Sequence, residues 1–131
     1  MAVDEALIQH IAQTIAAQFH PRRIILFGSQ ARGDAKPDSD IDLFIEMETR
    51  NPRRTAADIS LHFGLRDWGM DLIIYTPEQV AHYTGQVGTM LYVAETEGKV
   101  LYECPDYALA VPGVARPRRA ARIRRSYAVS R

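Results

Sequence analysis

The residues able to do chemistry lie in one stretch. From Gly28 to Leu43 it reads Gly-Ser-Gln-Ala-Arg-Gly-Asp-Ala-Lys-Pro-Asp-Ser-Asp-Ile-Asp-Leu. An apolar run ends in Gly28-Ser29, ten residues intervene, and Asp40-Ile41-Asp42 follows. On a strand, side chains alternate, so Asp40 and Asp42 share one face about 7 Å apart along the backbone. Ile41, Leu43 and Ile45 then point the other way, into a core. Two carboxylates on one face repel unless a positive charge sits between them. Mg²⁺ meets that need with one or two carboxylates, completing its shell with water and phosphate oxygens.

Asp71 extends the group. It sits in Gly69-Met70-Asp71-Leu72-Ile73-Ile74, a stretch apolar enough to predict a central strand. A carboxylate buried there must be paired or liganded. One solution is a structural ion pair with Arg22 or Arg23. The other places this strand beside the Asp40–Asp42 strand, so that three acids surround two metals. Such metals sit about 3.5–4 Å apart and stabilise the attacking and leaving oxygens of an in-line phosphoryl or nucleotidyl displacement.

Gly28 lets backbone approach a ligand closely. If Ser29-Gln30-Ala31-Arg32 starts a short helix, its free N–H groups and the Ser29 hydroxyl face a phosphate. Arg32 then offers a charge-assisted phosphate contact, or is simply a solvated loop arginine. No Gly-Lys-Ser/Thr follows, so a P-loop is excluded. Taken singly, these Gly, Ser, Asp and Pro residues also make ordinary turns; the combination with flanking apolar strands and Asp71 is what points to function.

The positioning elements are legible as patterns. Val3, Leu7, Ile8, Ile11, Ile15 and Phe19 recur at helical spacing over 3–19, with Asp4 and Glu5 at the favourable end of the helix dipole and Pro21 as a stop. Residues 23–27, 41–45 and 70–75 are three strands. Ala56, Ile59 and Phe63 mark a helix between the second and third, begun at Asn51-Pro52. Leu61 and Leu65, off its main face, are expected at the edge of the core, with an interface as the alternative. Thr76-Pro77-Glu78-Gln79 has the pattern of a capping box. A further helix over 84–97 is closed by Gly98, and Val100-Leu101-Tyr102 adds a last strand. The fold class is α/β (α+β): a small mixed β-sheet flanked by helices.

Together, Gly-Ser, ten residues, Asp-x-Asp and a later strand aspartate resemble the DNA polymerase β-type nucleotidyltransferase superfamily. The local text Gly-Ser-Gln-Ala-Arg-Gly-Asp…Ser-Asp-Ile-Asp-Leu is similar to the minimal nucleotidyltransferases, small antitoxins paired with HEPN-domain toxins. The resemblance covers roughly residues 5–104. It implies that Gly28 and Ser29 hold the triphosphate, that Asp40 and Asp42 bind metal, and that Asp71 is the third acid, binding metal and activating the attacking hydroxyl. It implies two Mg²⁺ ions and ATP. It also implies transfer of AMP to a hydroxyl, expected to be a tyrosine, of a cognate HEPN RNase toxin, which silences it. Two alternatives stand beside this: an antitoxin that neutralises by binding alone, and a nucleotidyltransferase for small molecules such as aminoglycosides. The latter usually needs a further helical domain, for which little chain remains after residue 104.

Composition sets the outer bounds. With 131 residues, 47% hydrophobic and 24% charged, one folded domain is expected. We place it at 1–104. The net charge of zero conceals a balance of −7 over 1–115 and +7, all arginine, over 116–131. The stretch 105–131 is therefore read as an Arg-rich tail, disordered or folding on a partner. It could bind RNA or an acidic surface, dock the toxin, or be a solvated end without a role. No apolar run is long enough for a membrane-spanning helix, and Met-Ala-Val-Asp-Glu lacks the basic start of a secretory signal. Cys104, the single cysteine, makes no internal disulfide and is expected to be a spectator. His10, His20, His62 and His82 lack metal-ligand spacing. A cytoplasmic protein is expected.

Overall fold

The structure, a computed structural model, describes residues 3–107; the arginine-rich tail beyond lies outside the described residues. The side chain of Asp4 accepts a hydrogen bond from the Leu7 N–H at 2.9 Å and caps helix α1, Glu5–Phe19. This satisfies one of the donors a helix start leaves open. Pro21 and Arg22 lead into strand β1, Arg23–Phe27. A single helical turn, α2 (Ser29–Arg32), follows Gly28, and strand β2 spans Ile41–Glu46. Asn51 caps helix α3, Pro52–Phe63, and strand β3 spans Met70–Tyr75. Thr76 and Gln79 form the expected capping box at the start of α4, Pro77–Tyr83.

The expected helix over 84–97 is shorter. Gly85 and Gly88 both take positive φ, 80° and 98°, which breaks the chain into a loop. Thr89 then caps α5, Met90–Glu97. Strand β4, Lys99–Glu103, completes the described elements.

The strands form one mixed sheet in the order β3-β2-β1-β4. β1 runs antiparallel to β2 and β4; β2 and β3 are parallel. The strand bearing Asp71, expected to be central, is instead an edge strand of this sheet, and its apolar character reflects packing on its two faces. Alternation divides β2 between two cores. Ile41, Leu43 and Ile45 are fully buried with α1 residues Ile11 and Ile15 and α3 residue Ile59. Phe44, on the opposite face, is buried with Ile25, Phe27, Leu91 and Ala94 beneath α5. Leu61 and Leu65 depart from expectation: they are 76% and 105% exposed, not core edge. Ile59 and Phe63 already supply α3's inward stripe, and the neighbouring positions turn outward.

At the end of the sheet where β1 begins, four charges are packed into the fold. Arg23 and Glu46 are cross-strand partners. Glu46 Oε1 accepts from Arg23 Nε at 2.6 Å and from Arg22 Nη1 at 3.1 Å, while Arg23 Nη2 reaches Glu95 Oε2 on α5 at 2.9 Å. Burial works against the Arg23 charge, but the Glu46 and Glu95 carboxylates outweigh it and hold its pKa above the ordinary value. Removing one member of a buried charge network strands the others. Glu46→Ala should therefore lower unfolding stability by about 3 kcal/mol, measured by urea denaturation. Asp4→Ala, which removes only a cap, should lower it by about 1 kcal/mol.

Candidate active site

The opposite end of the same sheet carries the candidate residues. Antiparallel register sets Asp42 beside Phe27, the last residue of β1. The next residue, Gly28, adopts φ 76° and ψ −158°, a conformation that L side chains rarely take. This turns the chain out of β1 and into α2, with the Gly28 carbonyl accepting from the N–H groups of Ala31 and Arg32 at 3.0 Å. The absent side chain also matters, because a Cβ on Gly28 would collide with the Asp42 carboxylate, lying 3.0 Å from its Cγ. Glycine thus supplies both the turn and the space for the acid. The return to β2 is held by Lys36 and Ser39: the Lys36 N–H donates to Ser39 Oγ at 2.8 Å.

Parallel register sets Asp42 beside Asp71. The structure brings these two together: Asp71 is within hydrogen-bonding reach of Asp42. Burial, the Asp71 and Asp40 charges and this hydrogen bond together push the Asp42 carboxyl above the usual aspartate range, with Arg32 pulling weakly the other way. Asp40 shares their end of the sheet but lies against Gly69, where a Cβ would sit 2.7 Å from its Cγ. Asp40 and Asp71 are exposed and Asp42 is half-buried. Asp71 is not the partner of Arg22 or Arg23, which bind Glu46 and Glu95 at the far end.

Arg32 does not lie loose. Its Nη1 is 3.1 Å from Glu97 Oε1 and its Nε is 3.4 Å from Asp34 Oδ2. The Glu97 hydrogen bond, then Asp34, raises the Arg32 pKa. Gly69 and Glu97 were not visible as site residues in the sequence. Neither carries a motif; both emerge only when strands and helices are assembled.

The donor set is all carboxylate oxygen, which suits a hard divalent cation. Among the described residues, no group of three His, Cys, Asp or Glu side chains already stands at metal-holding separation. The Asp42–Asp71 pair fits one ion, since Mg²⁺ commonly takes two protein carboxylates.

A sequence model of the nucleotidyltransferase domain family matches residues 8–98. The chain belongs to that family. The match runs from within α1 to the end of α5 and contains every candidate site residue. Nucleotidyltransferase membership makes the chain a transferase with a nucleotide substrate and, in general, a divalent metal. Among solved structures, the nucleotidyltransferase fold is shared with a Sulfolobus solfataricus protein described as a nucleotidyltransferase. That likeness has 20% identity and a TM-score of 0.50, covering 75% of this chain and 78% of the other. A toxin–antitoxin with AMP-PNP is similar at 18% identity and TM-score 0.49, covering 78% and 82%. A mutant of the toxin–antitoxin MntA-HpeT is similar at 17% and 0.47, covering 82% and 83%. Curated proteins yield no sequence match. Among the described residues, no helix is long and apolar enough to cross a membrane.

Asp42 holds its proton more tightly when folded, so it favours folding at low pH. That contribution disappears as pH rises from the ordinary aspartate value of 3.8 through the raised folded value. In EDTA, Asp42→Asn should therefore gain stability over the native chain across that interval and keep the gain at neutral pH, read as urea midpoints. Gly69→Ala, which pushes the Asp40 carboxylate aside, should weaken Mg²⁺ binding by roughly 10-fold in calorimetric titration.

Proposed function

We propose that this nucleotidyltransferase is an antitoxin that transfers AMP from ATP to a tyrosine hydroxyl of a cognate HEPN RNase toxin. The observation that carries the reading is the position of the acids. Asp42 and Asp71 meet beside the Gly28 turn; Asp71 stands exposed on the edge strand β3, and Asp40 stands exposed just before β2. An acid open at a sheet edge can receive a hydroxyl presented by another folded protein. The motif resemblance to minimal nucleotidyltransferases supplies the toxin as that protein.

On this reading, the Ser29 hydroxyl and the N–H groups of Ser29 and Gln30 at the start of α2 bind the ATP phosphates, since the turn's own bonds to the Gly28 carbonyl use only the Ala31 and Arg32 N–H groups. Arg32 adds a charged contact. Asp42 and Asp71 would hold one Mg²⁺, and Asp40 with Asp42 would hold the second. The metal supplies charge neutralisation at the phosphates and at the attacking and leaving oxygens. Asp71, the most open of the pair, orients the tyrosine hydroxyl and accepts its proton. The phenolic oxygen bonds to the α-phosphorus, the bond from that phosphorus to the bridging oxygen breaks, and pyrophosphate leaves. The chain's own contribution is thus positioning and preorganised charge.

The test uses ATP radiolabelled at the α-phosphate, Mg²⁺ and a cognate HEPN protein. Label should move to a toxin tyrosine, and Asp40→Ala/Asp42→Ala should reduce the rate by about 10³-fold or more. Absence of transfer by the native chain, or undiminished transfer by the double variant, overturns the reading. If the double variant still protects cells from the toxin, neutralisation is by binding alone.

A further inference from the structure

Glu97 belongs to no motif, yet it reaches the candidate phosphate-binding turn from another part of the fold. It is the last residue of α5, and its location is fixed by its neighbour Gly98. A Cβ on Gly98 would lie 2.9 Å from the Leu26 carbonyl oxygen and would also collide with Ile25 Cγ2 and the Ala94 carbonyl. The Gly98 N–H donates to Ala94 O at 2.9 Å, and Lys99 is already paired with Leu26 in the sheet. Backbone at 97–99 is therefore pressed against β1 just before Phe27 and Gly28. From that anchored site the Glu97 carboxylate binds Arg32 Nη1 at 3.1 Å, while Asp34 holds Nε at 3.4 Å. The two carboxylates engage different nitrogens of one guanidinium. Arg32 follows Gly28-Ser29 by one helical turn. The guanidinium is thus held at the mouth of the site, within electrostatic influence of Asp42.

We propose that Glu97 is a positioning residue for nucleotide binding: it acts through Arg32, fixing the guanidinium where the phosphates of the nucleotide are received. The inference rests on the reading of Gly28, Ser29 and Arg32 as the phosphate-binding turn. An unrestrained arginine must be immobilised when it meets a phosphate; one held beforehand has already lost that freedom. Charge alone predicts the reverse effect. A carboxylate close to a polyanion repels it, so deleting Glu97 for electrostatic reasons would tighten binding. The sign of the change therefore separates positioning from simple repulsion.

The experiment is a double-mutant cycle on Arg32 and Glu97, with the Kd of Mg²⁺–AMP-PNP read by calorimetry. The variants are Arg32→Gln, Glu97→Ala, Arg32→Gln/Glu97→Ala and Glu97→Gln. Binding should weaken by roughly 10-fold or more in Arg32→Gln, the effect of losing a charge-assisted hydrogen bond. It should weaken by about 3- to 5-fold in Glu97→Ala, the scale of an exposed ion pair. Glu97→Ala should have no further effect once Arg32 is gone, and Glu97→Gln, which keeps an acceptor oxygen, should recover part of the loss. Thermal midpoints of all four are measured alongside, since a change of stability alone would leave no dependence on Arg32. Tighter or unchanged binding in Glu97→Ala overturns the proposal, as does an equal loss in the presence and absence of Arg32. No binding by the native chain, or full binding by Arg32→Gln, instead overturns the reading of the phosphate turn on which the proposal rests.

Discussion

The register of three adjacent strands is the constraint on which the site depends. Phe27 faces Asp42 across an antiparallel pair, and Asp42 faces Asp71 across a parallel one. Side chains alternate with a period of two, so a slip of one residue would move Asp42 to the other face of the sheet and bring a core isoleucine or leucine to the site. That slip is resisted on both faces. Ile41, Leu43 and Ile45 are locked beneath α1 and α3, and Phe44 beneath α5. The acids need no local scaffold of their own, because packing elsewhere on β2 already fixes which way they point.

The same strand handles charge differently at its two ends. Glu46 is 2% exposed and is met by two arginines, so its charge is matched within the fold. Asp42, four residues earlier on the same face, meets two further aspartates, and the basic group that acts on it among the described residues, Arg32, is itself held by Glu97 and Asp34. Buried or half-buried acids are expensive in either setting. At the Glu46 end the expense is offset by ion pairs that tie α5 to the sheet. At the Asp42 end it is left standing, as expected where a cation belongs to the function.

Strand positions and acid spacing were legible because they depend on local pattern. The runs 23–27, 41–45 and 70–75 each became a strand, and Thr76-Pro77-Glu78-Gln79 a capping box, because alternation and capping are properties of neighbours in sequence. The edge position of β3 was not legible: an apolar strand reads alike whether its two faces or its two edges are covered. The break at 84–89 was hidden because Gly85 and Gly88 look tolerable in a helix until both take positive φ. The exposure of Leu61 and Leu65 depends on how many apolar residues α3 needs, which its neighbours decide. Arg32 was visible as a charge near the turn, whereas Glu97, 65 residues away, was not. Contacts of that range exist only after the sheet has formed.

The contrast between the two ends of β2 has a kinetic consequence. At one end of the sheet the charges of Arg22, Arg23, Glu46 and Glu95 meet in contact and cancel one another. Among the described residues, the other end gathers Asp40, Asp42 and Asp71 beside an arginine, Arg32, that is already paired, and their field extends about 8 Å at physiological ionic strength. A diffusing molecule senses this before it touches a side chain. Small cations are drawn in, a bare polyanion is turned away, and a polyanion already carrying its cation is admitted. The fold thereby biases the order of arrival, favouring a nucleotide that comes as its metal complex.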